Sequence, residues 1–552
     1  MSNLNDVQKN LFQMLKEIDC LCKKYDIQYF LAGGTALGAV RNHQFLPWDD
    51  DIDIYITRSN WEKLKSILES ESNVLPAGRS FIYNENTKYY CNPIPRYVDN
   101  TTTAIYKSQA LPGKACGQHI EFLIMDPIPN DTPQRERYVE LLRVYTELLS
   151  PYFVVNKNLS LEEWARHYEL YKRYCRKVRW KGKSKVIKEL EYELCQYSEK
   201  ACKVFCMRWG IDILMYAKED YGKGRLVYFE GQEFPVGEHA ERIFRVAYGD
   251  SWMYVPENEA QVVHNALQDI EIPFDKYTKN YIPKINRKRV FKKYEKNKRS
   301  NASVFYYRRK MEALIAQLKV NVEGEKICQL LNSKEEYLQS LLVQREYDQL
   351  NEEFCEYKLL QCSKYVKKYK IYVPIHDEIL YIWLKNLIEQ GKYFEANKYL
   401  HIRETESELL SEQLLEIKEM IRVFRELSIA RYDDKSEERV EQLIALYKGK
   451  FSDYLDMYRS VIWLNESDAS SFEDYEALKI QCNRALDLYP FDGEIIASLA
   501  HATLKCGDTK DAMKLYKLAL QRTRNGLIWE KIKNESGLDG IALERQKIEA
   551  GR

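Results

Sequence analysis

Residues 30–56 read FLAGGTALGAVRNHQFLPWDDDIDIYI. In an extended strand successive side chains point to opposite faces, so Asp51 and Asp53 share one face and Ile52 and Ile54 the other. The isoleucine face suits a core. Two carboxylates side by side repel each other, and a divalent cation between them removes the penalty. Hard oxygen ligands favour Mg²⁺ or Mn²⁺. Upstream, YFLAGGT reads as a buried strand ending at Gly33-Gly34, and 35–40 as a short helix. A strand–Gly–helix junction lets backbone N–H groups approach a phosphate, helped by the helix dipole. Each feature alone is common. In this order they point to a metal-dependent site for a nucleotide or phosphate ester.

The stretch resembles the LicD/fukutin family of the nucleotidyltransferase fold. The resemblance rests on GGTALGAVR followed by PWDDDIDI. It implies a Gly-Gly turn, an Asp-x-Asp strand and a third carboxylate on a later strand. In GQHIEFLIMDPIP the third position falls on Glu121, one methylene longer than the usual Asp, with Gly117 before it and Asp126 after it. Asp126 reads equally as a turn residue before Pro127. In CNPIPRYVDNTTT, a strand and turn, the family pattern points to Arg96, Asp99 and Thr101. Arg96 reads as a phosphate contact or a structural ion pair. Further on, Phe229, Glu230, Pro235, Tyr248-Gly249-Asp250 and His264 match in order, as substrate contacts or as structural residues. The resemblance covers about residues 20–270, half the chain.

The implied activity is transfer of phosphocholine, or a related phosphoryl-alcohol, from CDP-choline or another CDP-alcohol to a glycan, releasing CMP. The acceptor would be a teichoic acid, capsule or lipopolysaccharide precursor, possible in lipid-linked form. Asp51, Asp53 and Glu121 would be catalytic and hold Mg²⁺ or Mn²⁺. Gly33, Gly34 and Thr35 would cradle a phosphate, with Arg41 as a supporting cation. Asp50, or Asp49, would take the acceptor's proton or shape the loop. Trp48 and Tyr55 are candidates to cage the trimethylammonium, although core packing is the commoner fate of such aromatics. Two alternatives stand: a different CDP-alcohol or nucleotide-sugar donor on the same fold, and a silent scaffold acting through its helical half.

The 552 residues exceed one ordinary domain. The expected architecture is an α/β nucleotidyltransferase-like mixed-sheet core with helical additions over residues 1–283. A basic linker over 284–302 and an all-α tetratricopeptide-like solenoid over 303–552 follow. The solenoid reading rests on Ala485-Leu486 recurring as Ala519-Leu520, and on Leu499, Ala500, Gly507, Ala512 and Tyr516 at small and large contact positions. Trp383, Leu384, Gly391 and Ala396 repeat the spacing. Its expected role is to bind a protein partner or support the other domain.

Net charge is +1, so no global field marks a nucleic-acid binder. No stretch is apolar enough to cross a bilayer, and the N-terminus lacks a signal peptide's pattern. The 13 scattered cysteines suit a reducing cytoplasm. Cys20-x-Cys22 and Cys202-x₃-Cys206 read as buried free thiols rather than zinc ligands. An apolar helical face over 4–25 and a Ser59-x-x-Glu62 capping box predict helices flanking the core. Residues 131–228 read as helical. The basic run 171–188 is a solvated face or a contact for acidic lipid or a phosphorylated acceptor. The chain is thus expected in the cytoplasm, peripheral at the membrane's inner face if the acceptor is lipid-linked.

Overall fold

The computed structural model describes residues 4–71, 73–87, 90–105, 117–151, 159, 161–207, 213–256, 267–276, 287–369, 371–406 and 409–550. These fall into two compact units. One lies within residues 1–247, 256–308 and 544–552, the other within 248–255 and 309–543.

The first unit is a mixed sheet with helices. Its strands are β1 (Tyr29–Leu31), β2 (Ile52–Thr57), β3 (Arg79–Ile82), β4 (Arg96–Asp99), β5 (Thr103–Ile105), β6 (His119–Pro127), β7 (Val204–Met207) and β8 (Met215–Ala217). The main sheet runs β1-β2-β6-β4-β3, with β7 on the far half of β6 and β8 on β7. Among the described strands of this sheet, only the central pair, β2 and β6, is parallel. Helices α1 (Asp6–Lys24), α2 (Gly33–Asn42) and α3 (Arg58–Ser70) belong to this core. Ile52, Ile54 and Ile56 are fully buried. Trp61 of α3 packs on Phe122 of β6, with ring centroids 6.2 Å apart.

Three local readings change. The glycine pair is not a turn before a helix but the first turn of α2, which starts at Gly33. The Ser59–Glu62 capping box does not form. Thr57 caps α3 without a side-chain bond, while Arg58 pairs with Glu62 and Asp126. Residues 131–194 are largely helical, as α4 (Thr132–Leu149), α5 (Leu161–Lys181) and α6 (Lys183–Leu194), but strands return from Val204. Next come the hairpin β9 (Arg225–Phe229) and β10 (Gln232–Val236), helix α7 (Ala240–Tyr248), and β11 (Leu267–Asp269), which pairs with β5. Most of the basic stretch 284–302 lies in helix α8 (Arg287–Asn332).

A polar network braces α1 against β3 and β4. Arg79 bonds Glu17 at 2.8 Å and also pairs with Asp99, while the Tyr97 hydroxyl donates to Glu17 at 2.7 Å. Thr101 donates to Asp99 from its amide (2.9 Å) and its hydroxyl (2.6 Å). Burial pushes both carboxyls up. These donors outweigh it, so both end below the usual carboxylate range. A lowered folded value adds stability that is complete above the unfolded value and fades as pH falls through the folded one. Urea unfolding should therefore show this contribution intact above about pH 5 and draining away below about pH 4. An Arg79→Met variant should show a shallower acid slope, and an equal slope would contradict the account.

The described residues of the second unit are helical apart from short connections. Its largest core gathers Trp383, Leu384, Ala396, Phe424 and their neighbours. Ala485 sits in a second cluster, and Ala500, Ala512, Tyr516 and Ala519 in a third. Helices Gly493–Lys505 and Thr509–Arg522 fold back on each other across Gly507, whose φ of +93° is glycine territory. No described helix is long and apolar enough to cross a membrane.

Candidate active site

Register places three functional side chains in one row. Asp53 of β2 lies opposite Glu121 of β6, and Glu121 lies opposite Arg96 of β4. Paired residues in a ladder share a face, so all three point the same way. Arg96 donates to Glu121 Oε1 from Nε at 2.9 Å and Nη2 at 2.5 Å. His119, two residues before Glu121 on the same face, has Nε2 3.8 Å from that oxygen. Burial, then the Arg96 charge, pulls its pKa down to about 3, so the ring is neutral. The neutral ring donates from Nδ1 to the Gly117 carbonyl at 3.0 Å. His119 escaped the sequence reading. Alternation from Glu121 was the one signal that pointed to it.

The acidic loop lies against the first turn of α2. A Cβ on Gly33 would stand 2.7 Å from Asp53 Oδ2, and one on Gly34 2.8 Å from Asp49 Oδ2. Only glycine leaves room for both carboxylates, and Gly33 has φ +54°. The Thr35 hydroxyl accepts the Asp53 amide at 3.2 Å. The cap residue Ala32 supplies no side-chain bond, so the first N–H groups of α2 face the acidic loop without one.

Burial, then the charges of Asp51 and Asp50, pushes the Asp49 carboxyl well above its usual range. Its Oδ2 is buried without a hydrogen-bond partner among the described residues. Crowded negative charge with an unsatisfied oxygen is an environment that a divalent cation relieves. The donor set, all carboxylate, fits Mg²⁺ or Mn²⁺. Among the described residues, no group of three or more His, Cys, Asp or Glu side chains is already spaced to ligate one ion.

Three distant residues hold this loop. Gln8 of α1 donates to the carbonyls of Leu46 (3.3 Å) and Asp49 (3.0 Å). Gln268 of β11 donates to Asp50 Oδ2 at 3.0 Å. Glu230, in the β9–β10 turn with φ +51°, accepts the Phe45 amide at 2.9 Å and donates its own amide to the His43 carbonyl. Neither Gln8 nor Gln268 lies in a motif that marks it for this role.

The other predicted residues sit as follows. Arg41 is buried in the last turn of α2, about 12 Å along the axis from Gly33, and bonds Asn42 at 3.0 Å. Trp48 is buried within the loop. Tyr55 is core, its hydroxyl 3.0 Å from that of Tyr216. Asp126 is no turn residue. It sits inside β6, gripped by Arg58 at 2.7 Å, about 17 Å along the strand from Glu121. Asp99 and Thr101 belong to the brace described above. Asp250 lies in the second unit, held by Arg425 at 3.0 Å. His264 falls outside the described residues.

Residues 26–104 match the family described as LicD/FKTN/FKRP, nucleotidyltransferase domain. This segment therefore resembles a LicD-family domain. It is 24% identical over 283 residues to the lipopolysaccharide cholinephosphotransferase LicD of Haemophilus influenzae, covering 48% of this chain and 96% of that protein. Uncharacterized proteins of Rickettsia prowazekii and Rickettsia typhi are 41% and 39% identical over 59 residues. Those alignments cover 11% of this chain and 22% and 19% of the two relatives. The match to the family ends at residue 104, while the alignment with the Haemophilus protein runs over 283 residues.

Proposed function

We propose that the chain is a phosphotransferase that moves phosphocholine from CDP-choline to a hydroxyl of a cell-envelope glycan and releases CMP. The observation that carries this reading is the Asp53–Glu121–Arg96 row beside the glycine-backed acidic loop, in a chain similar to a lipopolysaccharide cholinephosphotransferase. Asp51, Asp53 and Glu121 would hold Mg²⁺ (or Mn²⁺), which when bound neutralises the donor pyrophosphate. The N–H groups of Gly33, Gly34 and Thr35 bind a phosphate at the start of α2. Arg96 fixes Glu121, and the neutral His119 adds no charge beside it. Asp49, whose buried oxygen lacks a donor, takes the acceptor hydroxyl's proton. The acceptor oxygen bonds to the distal phosphorus, the bond to the bridging oxygen breaks, and CMP carries off that electron pair. Trp48, in the same loop, would meet the trimethylammonium.

The fold we assign to the first unit is the nucleotidyltransferase fold. The helical unit we read as a degenerate tetratricopeptide-like solenoid for a protein partner, supported by its small buried residues at helix contacts. The described free thiols support a reducing cytoplasm as the site of action.

Purified protein incubated with Mg²⁺, an envelope glycan and a panel of CDP-alcohols should release CMP fastest from CDP-choline. Release only from another CDP-alcohol would replace the donor. Absence of release from every donor, with metal and glycan varied, would overturn the reading.

A further inference from the structure

We propose that the tip of the α5–α6 hairpin docks on an anionic lipid surface. This stands independently of the reaction above. The two helices are joined by Gly182 alone, at φ +86°, and share one core through Tyr171, Tyr174, Val186 and Leu190. Trp180 sits at the turn, 85% exposed. From residue 170 to residue 188 there is no acidic residue. Lys172, Lys181 and Lys183 pair with Glu169, Glu189 and Glu295. Arg173, Arg176, Lys177, Arg179, Lys185 and Lys188 are exposed and form no ion pair among the described residues.

A single exposed apolar side chain is ordinary on a protein surface. An exposed indole at a helix turn, with Arg176, Lys177, Arg179 and Lys185 nearby in sequence and in no ion pair among the described residues, is the arrangement that settles at headgroup depth. The ring enters the interface while the cations meet lipid phosphates. A nucleic acid fits less well, because the hairpin carries no recognised nucleic-acid motif. The partner is therefore a bilayer rich in acidic headgroups.

The test is cosedimentation of the full chain with phosphatidylcholine vesicles, with and without phosphatidylglycerol. The protein should pellet with the acidic vesicles and be released by salt. Each cation near an acidic surface strengthens partitioning by roughly fivefold. Arg176→Ala/Lys177→Ala/Arg179→Ala should therefore weaken it roughly a hundredfold. These exposed positions should leave the circular dichroism unchanged. If the triple variant does not fold, quenching by brominated lipid decides instead: it should be weaker in Trp180→Phe than in the parent. Equal pelleting with both vesicle types, unchanged binding by the triple variant, or capture by RNA in place of acidic vesicles would each overturn the proposal.

Discussion

Asp53→Asn should cost at least about a thousandfold in turnover, because losing several kcal/mol of charge stabilisation at a metal site has that size. The same change should leave the melting temperature level or raise it. Asp53 is half-buried beside Asp51 and opposite Glu121, and amide nitrogen in place of carboxylate oxygen reduces like-charge repulsion. The Thr35 contact goes to the Asp53 backbone, so it survives the substitution. Activity and stability thus move in opposite directions, as expected where a site holds charge for function. CMP release beside a thermal melt measures both. Unchanged turnover would remove the carboxylate's assigned role, and a collapsed melt would make Asp53 a folding residue.

The second large effect is structural. Lys298 of α8 is 4% exposed and its Nζ is 2.5 Å from Glu147 Oε1 of α4, itself 1% exposed. The ammonium also donates to the Ser150 carbonyl at 3.0 Å and to the Glu147 carbonyl, capping the last turn of α4. Burial draws the Lys298 pKa down, and the Glu147 carboxylate works against that. Lys298→Ala strands a carboxylate in the interior and should destabilise the first unit by about 3–5 kcal/mol. Removing both charges, as Lys298→Met/Glu147→Leu, should recover most of the loss. The urea midpoint and hydrogen exchange over α4 report both. A single-variant loss under about 1 kcal/mol would mean that water reaches the pair.

The acidic strand was legible because its period of two and its charge pattern are local. Ile52 and Ile54 are buried, and Asp53 shares a sheet row with Glu121. The helix at Gly33 was misplaced because glycine usually ends or precedes helices. Here two carboxylates pressed against the first turn leave space for no other residue. The stretch 284–302 reads as a solvated linker by composition, and no pattern in it marks Lys298 as the cation that turns inward. Ser59 and Glu62 have capping-box spacing, yet Arg58 takes Glu62 because Asp126 already fixes its guanidinium. The props of the acidic loop, Gln8, Glu230 and Gln268, were hidden for a different reason. Their partners are main-chain atoms or an Asp far away in sequence, and such pairings leave no trace in local spacing.

Those three props also bear on how such a site can be inherited. The glycine and aspartate motif is short enough to move between genes as one cassette. Transplanted alone, it would arrive as a slack acidic loop without the hairpin turn and the β11 amide that hold it. Recombination that transfers the chemistry must therefore carry residues 8 to 268 together, and tolerated insertions have to fall between the props rather than through them.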